Sequence, residues 1–159
     1  MIYGDKETLK NTFAAPVEYA FITELGIADV EIIDYMTDML VRFVRIDAIF
    51  SVKNVAGKTL YEIADMIVSA EHTNRDNRHV IHNHIGDFTL FWVGMYPDKL
   101  KKMKPTSKDY LLDYSTNGSK SYHIASTRDN SPKSQILYRI GENFELCSTG
   151  LQIASQDWT

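Results

Sequence analysis

The sequence predicts an all-α protein, a single compact helical bundle of five to six helices over residues 1–159. Three observations predict it. Apolar residues recur at helical spacing along almost the whole chain. Start and stop signals bracket the periodic stretches, with proline or a small polar residue in front and glycine or proline behind. With 159 residues, 44% hydrophobic and 24% charged, the chain is long enough for a self-sufficient core, and it carries no internal repeat or low-complexity tract.

Pro16 suits a first helical position and Gly26 a C-terminal cap, so a short helix is expected over the Val17 to Leu25 stretch. Asp29 caps a longer one. Along it Val30, Ile33, Thr37, Leu40, Val41 and Val44 share a face, while Glu31, Asp34, Asp38, Arg42 and Arg45 lie on its edge and back. Residues 46–56, rich in β-branched side chains and followed by Gly57, predict a short extended or irregular connection. Thr59 to Glu62 spells a capping box opening a helix through Ile63 and Ile67 toward His72.

The strongest periodic signal runs from about Asn77 to Met95, where Ile81, Ile85, Phe88, Trp92 and Met95 are spaced by threes and fours, and Pro97 ends or kinks that helix. Ser107 or Asp109 starts another. Asn117-Gly118 is a turn dipeptide, yet Tyr110, Tyr114, Gly118 and Tyr122 fall at intervals of four. The helix therefore either breaks there or continues with a glycine where another backbone comes close. Ser131-Pro132 opens the last helix, with Ile136, Ile140, Phe144, Cys147, Leu151 and Ala154 on one face.

Net charge is −4, with 13 acids and 8 bases in residues 1–80 against 8 acids and 9 bases in the remainder. A nucleic-acid partner is disfavoured by that balance. Lys99, Lys101, Lys102, Lys104 and Lys108 form a local basic run, read either as a solvated face at a helix C-terminus or as a contact for phosphate or an anionic surface. Neither an export signal nor a membrane span is encoded, so a cytoplasmic location without a membrane partner is expected. The single cysteine, Cys147, sits on an apolar stripe and reads as an inert core thiol, its pKa raised by Glu142 and Glu145.

Four of the five histidines fall between His72 and His84. At about 100° per residue the aromatic stripe of the central helix defines its buried face, with His84 against that face, Asp87 on its border, and His79 and His82 pointing away. A three-histidine metal site on this helix is thereby excluded, and the candidate that survives is the pair His84 and Asp87, one turn apart. A carboxylate there could fix the imidazole tautomer of a ligand or base. The same arrangement describes a core histidine satisfied by its neighbour. Tyr110, Tyr114, Tyr122 and His123 are candidate lining residues opposite it. No His-Glu-x-x-His, Cys-x-x-Cys, phosphate-binding glycine loop or Gly-x-Ser-x-Gly elbow occurs.

The stretches His84 to Trp92, Asp109 to Tyr114, Ser121 to Ser126 and Phe144 to Cys147 are similar to those of a group of uncharacterised bacterial helical proteins. The resemblance covers about half the chain. It implies a bacterial cytosolic origin and carries no activity or cofactor. Two functions are expected from the residues: a non-catalytic module that binds a protein partner or itself, or a small-molecule or metal site on His84 and Asp87. No cofactor is expected apart from the metal that second function would place at His84.

Overall fold

The computed structural model describes residues 5–158, and among these it is all-helical. Nine α-helices occur where five to six are expected: α1 Lys6–Glu18, α2 Val30–Arg42, α3 Ile46–Ile49, α4 Ile63–Glu71, α5 Arg75–Met95, α6 Pro97–Lys101, α7 Tyr114–Ser126, α8 Pro132–Glu142 and α9 Phe144–Ser155. The excess has plain causes. Two of the helices, α3 and α6, are single turns too short to show a period. The expected last helix is broken at Asn143, whose backbone leaves helical geometry (φ −117°, ψ 30°) and whose side chain donates back to the Arg139 carbonyl at 2.8 Å.

The N-terminal helix also begins earlier than its proline suggests. Asp5 accepts from the Thr8 amide at 2.8 Å and opens α1 ten residues before Pro16, which falls inside the helix near its end. A π-helical turn over Tyr19–Glu24 follows, and Gly26, at φ +69°, ends it as expected. The connection after α3 is irregular, with an isolated antiparallel bridge between Lys53 and Thr59 around Gly57 and the Asn54 side chain accepting from the Ala56 and Lys58 amides.

Helix α5 lies at the centre, packed along its length on α7 and also against α4 and α9. The expectation that only one of its faces is buried fails here, because six consecutive residues, Gly86 to Phe91, are buried. One side carries the aromatic stripe, with Phe88 against Phe50 and Tyr114 and with Phe91 against Phe43. The opposite side carries Gly86, Thr89 and Gly94, which admit the neighbouring helices at close range. A β-carbon at Gly86 would lie 2.7 Å from the Tyr122 ring, and one at Gly94 would lie 2.7 Å from Leu151. Gly118 answers from α7: its missing side chain leaves room for Thr89 and Phe144, and α7 runs through it unbroken. Propensity favours a break at Asn117-Gly118; interhelical contact overrides it.

Candidate functional site

Asp87 is the best-connected polar group of the core. It is 2% exposed, and its Oδ1 accepts from the hydroxyls of Tyr35 on α2 (2.8 Å) and Tyr122 on α7 (2.7 Å). Its Oδ2 faces the Arg42 guanidinium at 3.0 Å and, more distantly, the Asn83 amide at 3.5 Å. Asn83 Nδ2 also donates to Tyr35 Oη at 2.9 Å. Burial first, and the Asp87 charge second, push both phenols well above their usual pKa, so they remain O–H donors at any ordinary pH. The cluster ties α2, α5 and α7 together at one carboxylate.

His84 lies one turn away, and the expected bond to Asp87 is absent from the hydrogen bonds it makes. Its Nε2 lies 2.7 Å from the Ile49 carbonyl, an acceptor only, so Nε2 carries the proton; Nδ1 faces the Ser51 hydroxyl at a long 3.4 Å. Burial lowers the His84 pKa, opposed by the Asp87 charge and the Ile49 bond. Asp87 thus acts on His84 through its field, without touching a ring nitrogen. The ring fastens the end of α3 to α5, with Phe43 and Phe88 beside it.

His79 and His82 do not point away into solvent; they are 6% and 4% exposed because α7 covers that side. His79 Nε2 meets Thr127 Oγ1 at 3.1 Å and its Nδ1 meets the Arg75 carbonyl at 2.8 Å. His82 Nδ1 meets Ser121 Oγ at 3.0 Å, while its Nε2 is buried without a partner. Burial lowers the His82 pKa as well. Gly86 and Gly94, eight residues apart and opposite the aromatic stripe, are the sequence signal for this second buried face.

The proposed lining residues separate. Tyr110 precedes α7 and is 49% exposed. Tyr114 donates to Asp109 at 2.6 Å, and Tyr122 to Asp87. His123 stacks on Tyr138, with Nε2 3.0 Å from Glu142 Oε1 at ion-pairing distance but without hydrogen-bond alignment, and does not face His84. Tyr35 and Asn83, which the sequence does not single out, and Arg42, expected on the edge and back of its helix, complete the cluster around Asp87. Tyr35 and Arg42 are seven apart on α2, hence on one face, and that spacing is the signal that could have found them. Cys147 is 1% exposed; burial and then Asp29, not the nearby glutamates, push its thiol up to about 12.

Among the described residues no group of three or more His, Cys, Asp or Glu is placed to hold a metal ion, and no helix is long and apolar enough to cross a membrane. No family model, curated protein or solved structure matches the chain.

The two buried imidazoles set a pH dependence. Their folded pKa values lie below the value near 6.5 of an unfolded histidine, so between the two the unfolded chain binds more protons. Stability is therefore full above about pH 6.5 and declines as pH falls below it, a window above that of the carboxylates near pH 4. The urea midpoint is expected to drop between pH 7.5 and pH 5.0, and a His82→Gln/His84→Gln double variant to flatten that drop. An equal drop in the variant would assign it to other groups.

Proposed function

We propose that the protein is a non-catalytic helical interaction module of the bacterial cytosol that acts by associating with itself. One observation carries this reading. In the groove of about 610 Å³ between the 54–62 connection and α4, Val55, Tyr61 and Val68 stand 95%, 62% and 57% exposed. Apolar side chains gathered around one concavity, rather than scattered singly, are the mark of a surface that meets another protein. The groove is braced by the Lys108–Asp65 ion pair at 2.8 Å and by Glu62, which accepts from Ser107 and from the Lys108 amide. By contrast, the polar groups best suited to chemistry are engaged in internal bonds: Asp87 with two tyrosines and an arginine, and His84 with a backbone carbonyl.

Sedimentation across a range of concentrations tests the proposal. A stable symmetric contact needs about 1,000 Å² or more. The wild type is expected to exceed the monomer mass at high concentration and Tyr61→Glu to remain monomeric. A wild type that is monomeric throughout, or a Tyr61→Glu variant that associates equally, defeats it.

The alternative, a small-molecule or metal site at His84, rests on one contact. Nδ1 is the ring nitrogen without a strong bond and faces the exposed Ser51 hydroxyl. Metal in untagged protein, lost in His84→Ala, would favour that alternative over the module.

A further inference from the structure

The basic run after α5 gains further apolar company in three dimensions. Along the chain, Leu100 and Met103 interrupt Lys99, Lys101, Lys102 and Lys104. In the structure, α6 and the turn after it border a groove of about 510 Å³ whose other wall is the segment leading into α7. Lys101, Leu100 and Met103 line one side, and Tyr110 and Leu111 the other. Leu111 is 90% exposed, Tyr110 49% and Tyr96 41%, and Lys99 Nζ lies 5.4 Å over the Tyr96 ring. The four lysines are all exposed, and Asp98 lies 4.0 Å from Lys101 with both partners largely in solvent; of the two further carboxylates that line the groove, Asp109 is buried against the start of α4 and Asp113 caps α7.

We propose that this face is a contact for an anionic lipid surface. Charge complementarity selects that occupant. Lysines are compact, mobile point charges suited to a field of phosphates rather than to one fixed bidentate partner. A leucine projecting almost wholly into water beside the half-exposed Tyr110, with Tyr96 under Lys99, matches the apolar edge of a headgroup layer, where amphipathic rings settle. The contact is peripheral and needs no spanning helix. It is independent of the groove beside α4, so its failure leaves the self-association unaffected.

Co-sedimentation of the full chain with vesicles of 70% phosphatidylcholine and 30% phosphatidylserine, against vesicles of phosphatidylcholine alone, is the test. Binding is expected to the first and not the second, and to weaken as salt is raised. At about 5-fold in affinity per lysine near such a surface, changing Lys99, Lys101, Lys102 and Lys104 to glutamine should cost at least about 100-fold. Leu111→Ser should cost about 10-fold through lost apolar insertion. Lys120→Gln/Lys133→Gln, on α7 and α8 and outside that groove, should change nothing. All of these positions are exposed, and circular dichroism checks that each variant keeps its helices.

No binding to the mixed vesicles overturns the proposal, as does binding that survives the four-lysine change. Binding competed away by inorganic phosphate, with Leu111→Ser unaffected, overturns it in favour of a simple anion site. A shift in sedimented mass without lipid on changing the four lysines overturns it in favour of a protein contact.

Discussion

Asp87→Ala is expected to destabilise the fold by about 3–5 kcal/mol, measured as the loss of unfolding free energy in urea. The arithmetic follows from who is orphaned. Tyr122 is fully buried, so its hydroxyl has no water to turn to, and a buried donor without a partner costs about 1–3 kcal/mol. Tyr35 loses the same acceptor but keeps the Asn83 amide against its oxygen, and a cavity remains where the carboxylate stood. Arg42 adds little, because its side chain is 45% exposed and regains water. Asp87→Asn preserves shape and one acceptor for the tyrosines, so about 1–2 kcal/mol is expected there. Tyr122→Phe should cost less in the Asp87→Ala background than in the wild type, since its hydroxyl is then already wasted. A loss under about 1 kcal/mol for Asp87→Ala would mean the network does not hold α2, α5 and α7 together.

That network shows how far sequence reaches into this protein. Periodicity finds α5 because five large apolar residues repeat along it, and the caps Asp29 and Ser131 are read correctly because a cap acts within three residues of itself. It singles out Asp87 and His84 from their place on that helix, as a pair that the hydrogen bonds do not join. Their partners escape it, because Tyr35 and Arg42 stand 52 and 45 residues from Asp87 and the Ile49 carbonyl stands 35 residues from His84. A helical wheel ranks directions by apolarity. The second buried face of α5 is made of glycine, threonine and histidine, so it reads as a polar back until the glycines are recognised as places where α7 and α9 come close. The same limit produces the error at Thr59 to Glu62. The sequence offers a local capping box, and the chain uses a distant carboxylate instead.

The carboxylate is Asp109, and its replacement by alanine is expected to cost about 2–4 kcal/mol and to loosen α4 first. Its two oxygens accept from the Ile63 and Ala64 amides, each at 2.9 Å, capping a helix whose own Glu62 makes no side-chain cap. Glu62 is turned the other way, accepting from the Ser107 hydroxyl at 2.8 Å and the Lys108 amide at 2.7 Å. The two segments thus cap each other across more than forty residues. Asp109 is 2% exposed and also takes the Tyr114 hydroxyl at 2.6 Å, whose pKa is raised by burial and then by that bond. Removing it leaves two helix-start amides and a buried phenol unsatisfied together. Hydrogen exchange at Ile63 and Ala64 should quicken more than at the centre of α5, because local opening of α4 becomes cheaper than global unfolding. Asp109→Asn retains one acceptor and should fall between. Since α4 and Lys108 border the groove proposed for self-association, Asp109→Ala should also weaken dimer formation without touching Val55, Tyr61 or Val68. Unchanged exchange at the two amides would show that α4 is held by its apolar face alone.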